Sequence, residues 1–136
     1  MLPTPEHHNT ALDASVNLHY LAASAKHLPT LLLLHGFLSS SAQFRDLVPL
    51  LAHLFHLIVL AFPVYGQTTG PAEFAYAFDN LANAMIALLA ALQIGTYAMH
   101  VFDCSATVGW RFALNNPSAI AAIISQNGNA YNEGFG

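Results

Sequence analysis

The chain has 136 residues, a net charge of −4 with histidine neutral, and 7% charged against 55% hydrophobic residues. That is room for one domain, with too much apolar surface for a disordered chain and, with Lys26, Arg45 and Arg111 as its lysines and arginines, too little basic charge for a nucleic-acid groove. A single cysteine, Cys104, excludes an internal disulfide and a multi-cysteine zinc site.

Residues 8–12 and 16–22 read as two short strands around a turn at Asp13-Ala14-Ser15. A polar connection over 23–30 leads to Leu31-Leu32-Leu33-Leu34, an apolar run stopped by His35-Gly36. Such a run is the pattern of a strand buried on both faces. Ser39-Ser40-Ser41 can cap a helix near 43–54, and 57–61 is the next buried strand. Residues 62–74 carry Pro63, Gly66, Gly70 and Pro71 and are predicted as loop. Asp79 reads as a helix N-cap, followed by a helical stripe of Leu81, Met85, Leu88, Leu89 and Leu92. Gly95 stands where a C-terminal glycine belongs, and Ala84, Ala87, Ala90 and Ala91 are assigned to the outer face. Then come a strand over 97–102, a helix over 106–115 ended by Asn116-Pro117, a last strand over 119–124, and a polar Gly/Asn-rich segment over 126–136. Trp110 and Phe112 are expected in the core.

Residues 47–64 form an apolar stretch long enough to span a bilayer. Pro49 suits a first helical turn and Phe55-His56 marks a break before Leu57-Ile58-Val59-Leu60, so a helix followed by a buried strand is expected instead. Residues 1–10 lack a basic n-region and an apolar h-region, which reads as no signal peptide and a cytoplasmic location. His53 and His56 have helical ligand spacing, but no carboxylate or thiol pattern joins them, so neither a metal nor a cofactor is expected.

The order is a hairpin followed by alternating strands and helices. It predicts an α/β fold with a mostly parallel sheet and helices on both faces. Chemistry in such sheets gathers at the carboxyl ends of the strands. Three strand ends stand out: His35-Gly36-Phe37-Leu38, Phe62-Pro63-Val64-Tyr65-Gly66, and Asp103-Cys104-Ser105-Ala106. The third opens a helix. A carboxylate there is lifted out of the sheet at the positive end of the helix dipole, where it can stay ionised and attack an electrophilic carbon. Asp103 also suits the plainer role of an N-cap.

These segments, with Ser125-Gln126-Asn127-Gly128-Asn129-Ala130-Tyr131, come in an order and at spacings that resemble the α/β-hydrolase fold family, in its epoxide hydrolase and haloalkane dehalogenase branch. The resemblance runs from about residue 8 to 136. It implies that Asp103 is the nucleophile, forming an alkyl-enzyme ester from an epoxide, haloalkane or ester. It also implies that the backbone N–H groups of Phe37 and Cys104 form the oxyanion hole, with His35, Gly36 and Ser105 in support. Departures are Val64 for a family Gly, Ala61 for a usual Asp, Leu38 for a common Pro, Phe102 for a common His, Cys104 for a common aromatic, and Ser105 for a usual Gly.

In this family the nucleophile precedes the acid, and the histidine comes last. All eight histidines here precede Asp103, and Glu133 is the only acid after it. The resemblance therefore describes a single partial domain over 1–136, lacking the cap and the C-terminal strands and not expected to turn over alone. Ser105 as nucleophile in a loose G-x-S-x-G mimic is an alternative reading, as is Cys104. The non-enzymatic alternative is a truncated hydrolase-like domain that binds a protein partner, or a second copy of itself, through its exposed half-sheet.

Overall fold

A computed structural model describes residues 5–11, 17–36, 41–60, 78–103 and 105–128. Strands β1 (Glu6–Ala11) and β2 (Asn17–Ala23) pair antiparallel. Strand β3 (Thr30–Leu34) is followed by a 3-10 turn (Ser41–Phe44), the short helix α1 (Leu47–Leu51) and strand β4 (His56–Leu60). Helix α2 (Phe78–Ala91) precedes strand β5 (Tyr97–Phe102), and helix α3 (Ser105–Asn115) precedes strand β6 (Ile120–Gln126). The sheet order is β1-β2-β4-β3-β5-β6. From β4 onward all neighbours are parallel, while β2 meets β4 antiparallel.

Alternation along each strand sends neighbouring side chains to opposite faces. Leu32, Leu34, Ile58 and Leu60 face one way, into a core completed by Met85 and Leu88 of α2 and Val108 and Phe112 of α3. Leu31, Leu33, Leu57 and Val59 face the other way, onto Phe44, Val48 and Ala52. The continuous Leu31–Leu34 run is thus apolar because both of its faces are covered, and each such buried side chain contributes about 1.5–3 kcal/mol. Helices on both faces of a mostly parallel sheet are as expected. Phe112 is buried edge-on to Tyr97, and the half-buried Trp110 packs on the same core.

Several local expectations are corrected. The helix placed near 43–54 is split into the 3-10 turn and the five-residue α1, with Asp46 at its N-cap making no side-chain cap bond. Helix α2 already includes Asp79, so that residue is not its cap. At the other end the left-handed residue is Gln93, at φ 58°, and not Gly95. The N–H of Ile94 donates to the Leu89 carbonyl and that of Gln93 to the Ala90 carbonyl, a closed Schellman end two residues before the glycine. Ala84 is buried in the core, while Ala87, Ala90 and Ala91 are exposed as assigned. The apolar stretch after residue 47 holds α1 and β4, and among the described residues no helix is long and apolar enough to cross a membrane. His53 is exposed, and His56 is the buried first residue of β4. The turn at 13–15 and the loop at 62–74 lie outside the described residues.

Three histidines are buried: His19, His35 and His56. Burial is the main force holding each below the ordinary histidine range. His7 and His8 add to it at His19, and Lys26 adds to it at His56. At His35 a bond to the Gly36 carbonyl works the other way. The unfolded chain therefore binds protons at a pH where the folded chain does not, so stability rises with pH across that window. We expect the urea midpoint to hold above about pH 6.5, the ordinary histidine value, and to fall steadily from there towards pH 5. A midpoint that is flat or rises on acidification would contradict this.

Candidate active site

β5 ends at Phe102, α3 begins at Ser105, and Asp103 turns the chain between them. Asp103 has φ 55°, in the left-handed region, and its side chain is exposed. For a residue with a Cβ this conformation costs roughly 1–2 kcal/mol. The turn is tight enough that the Ala106 N–H reaches the Asp103 carbonyl at 3.2 Å. The carboxylate thus stands at the carboxyl edge of the sheet, beside the amino end of an eleven-residue helix whose dipole favours the anion.

Ser105 braces this turn. Its side chain is fully buried, and its Oγ accepts the Phe102 N–H at 2.8 Å. The hydroxyl proton lies within reach of two carbonyls, Phe102 at 2.7 Å and Leu34 at 3.1 Å. One oxygen therefore ties the end of β5, the start of α3 and the end of β3 together. A serine so engaged and so buried is a poor nucleophile, which disfavours the Ser105 alternative.

Gly36 closes the other side. A Cβ there would fall 2.7 Å from the Phe102 ring and 3.4 Å from the Asp103 Cβ, so glycine is required by the approach of β3 to the turn. The Gly36 N–H donates to Gln43 Oε1 at 2.9 Å, and His35 Nδ1 donates to the Gly36 carbonyl at 2.9 Å. His35 is buried, burial holds it below the ordinary histidine range, and its ring is tied to the strand end through the Gly36 carbonyl. Gln43 was not singled out in the sequence, because a lone glutamine in a polar turn carries no pattern. Beyond β6, a Cβ at Gly128 would fall 2.6 Å from the Ala106 Cβ, so this third strand end also closes on the turn.

The structure thus brings Asp103, Ser105, His35 and Gly36 together. Phe37 and Cys104, and the segment 62–66, lie outside the described residues. Among the described residues no cluster of three His, Cys, Asp or Glu side chains could hold a metal ion.

Ser105→Ala leaves the Phe102 N–H without its partner and should destabilise the fold by about 1–3 kcal/mol in equilibrium unfolding. No loss would mean that the brace is not made in solution. Because a left-handed backbone accepts glycine and resists alanine, Asp103→Gly should be more stable than Asp103→Ala by about 1 kcal/mol. Equal stability, or a more stable alanine variant, would contradict the φ assigned here.

Residues 29–135 match the family model described as alpha/beta hydrolase fold. An uncharacterised hydrolase of Saccharomyces cerevisiae is 45% identical over 128 residues, covering 94% of this chain and 44% of that protein. The bifunctional epoxide hydrolase 2 of Rattus norvegicus is 27% identical over 134 residues, covering 93% of this chain and 24% of that protein. Among solved structures, the haloalkane dehalogenase DbeA from Bradyrhizobium elkani superposes with a TM-score of 0.86 at 25% identity, over 92% of this chain and 42% of that one. The chain spans less than half the length of each of these relatives. A family match running from the start of β3 past the end of β6, on a sheet of this order, makes the chain a member of the alpha/beta hydrolase fold family.

Proposed function

We propose that this chain carries the nucleophile-bearing half of a hydrolase acting on an epoxide or a haloalkane, with Asp103 as the nucleophile. The observation that carries the reading is the exposed carboxylate on a strained strand-to-helix turn, with φ 55° and three strand ends closing around it. Strain of this kind is kept where it presents a reacting group. Similarity to an epoxide hydrolase and to a haloalkane dehalogenase supports the choice of electrophile. Both substrates offer an electrophilic sp³ carbon with an oxygen or a halide to leave.

An Asp103 carboxylate oxygen attacks that carbon. A new C–O ester bond forms as the epoxide C–O or the C–halogen bond breaks. As the neutral ester forms, the carboxylate charge passes to the leaving group, which departs as halide or as an alkoxide that takes a proton from solvent water. Hydrolysis of the ester then needs N–H donors for the oxyanion, assigned here to the backbones of Phe37 and Cys104, and a base to activate water. No histidine follows Asp103 among the 136 residues, and His35, whose neighbour Gly36 closes on the turn, is committed to the Gly36 carbonyl. On these residues alone the ester forms and accumulates, and steady turnover requires a base from elsewhere.

A second reading, a non-catalytic domain that binds a partner through its half-sheet, is favoured by β6. This strand is exposed along most of its length, with Ile124 at 53%. The two readings separate on intact mass after exposure to styrene oxide and, separately, 1-bromobutane. The hydrolase reading expects a gain of one epoxide mass, or of one butyl group with loss of bromide, that Asp103→Ala abolishes. An unmodified chain, or a gain untouched by that substitution, would sink it.

A further inference from the structure

A cavity of about 380 Å³ lies at the opposite end of the strands from Asp103. Its walls include Thr30 and His56, the first residues of β3 and β4, and Thr96, which immediately precedes β5. The volume is within the range that holds a small organic ligand. We propose that this cavity is a second binding site, for a small carboxylate with an apolar, preferably aromatic, body.

Two features set the ligand class. The floor is apolar: Ala22, Ile58, Leu92 and Ile94 line it. Its aromatic wall is Tyr20, with the His8 ring stacked on it at a centroid distance of 5.0 Å and 17° between planes. Against this floor the polar lining consists of Lys26, the Thr30 and Thr96 hydroxyls, the Gln93 amide and the His8 and His56 rings, all of which can offer a hydrogen-bond donor. Lys26 is the only lysine in the chain, and it is exposed at the cavity. Thr30 Oγ1 lies 3.4 Å from His56 Nδ1. If His56 Nδ1–H donates there, the threonine hydroxyl proton is left to donate to an incoming anion. Burial, with Lys26 adding to it, holds His56 below the ordinary histidine range, so its ring meets a ligand as a neutral group. Glu6 lies 3.5 Å from His8 Nε2, is 79% exposed, and does not line the cavity. No carboxylate lines it among the described residues. In a chain of net charge −4 with 7% charged residues, a lysine on an apolar cavity with no carboxylate in its described lining is a local reversal of sign. A carboxylate meets Lys26 and Thr30 while its body covers Ile58, Leu92 and Ile94. The site is independent of the reading of Asp103.

The test is titration of the 136-residue chain with benzoate, followed by NMR and calorimetry. The proposal expects saturable 1:1 binding that moves the His56 and Tyr20 ring signals. Lys26→Gln, at an exposed position, should weaken it about tenfold, the loss of one charge-assisted hydrogen bond. Ile94→Ala should weaken it less, and Asp103→Ala should leave it unchanged. Absence of saturable binding overturns the proposal, as does Lys26→Gln binding equal to wild type or loss of binding in Asp103→Ala. Benzylamine binding as tightly as benzoate overturns the assigned charge. Inorganic phosphate binding as tightly as benzoate overturns the apolar body.

Discussion

One buried hydroxyl sets the geometry on which the candidate site depends. Ser105 sits with its oxygen between the backbones of Phe102 and Leu34, so the turn from β5 to α3 cannot relax away from β3. Asp103 is held between these anchors at a positive φ, a conformation uncommon for residues other than glycine. The opposing wall, Gly36, approaches the turn so closely that a single methyl would strike the Phe102 ring. In the proposed reaction, fixed placement of this sort positions the attacking oxygen before the substrate arrives.

The sheet makes such a turn possible. Four parallel strands point their carboxyl ends the same way, so residues distant in sequence meet at one edge. The cores on the two faces lock the strands in register, with Leu31–Leu34 contributing to both. The same polarity leaves the amino ends of β3, β4 and β5 free to line a cavity of different character, with Lys26 and His56 where the carboxyl edge has Asp103.

Much of this was legible in the sequence for physical reasons. Runs buried on both faces are apolar without a break, so β3 and β4 were readable to within a residue. The helical stripe from Met85 to Leu92 was readable because each of its members faces the core or its border. The ordered strand ends pointed to Asp103. Features that rest on one side chain bonding a distant backbone were not legible. Ser105 looked like a departure from a glycine position, and only its three-way contact explains it. Gln43 carries no pattern at all. The end of α2 misled because Gln93 takes the left-handed position that glycine favours, leaving Gly95 in open space with no neighbour for a side chain to meet. Ala84 misled because it lies at the border between the inner and outer faces of its helix.

The central claim is that Asp103, and no neighbour, is the atom-bonding residue. Tandem mass spectrometry of the peptide spanning the β5–α3 turn, after a single exposure to styrene oxide and quenching in acid, tests it most directly. The account predicts an ester on the Asp103 carboxylate, removed by mild base. A thioether on Cys104, an ether on Ser105, or an adduct spread over exposed acids such as Asp46 would contradict it.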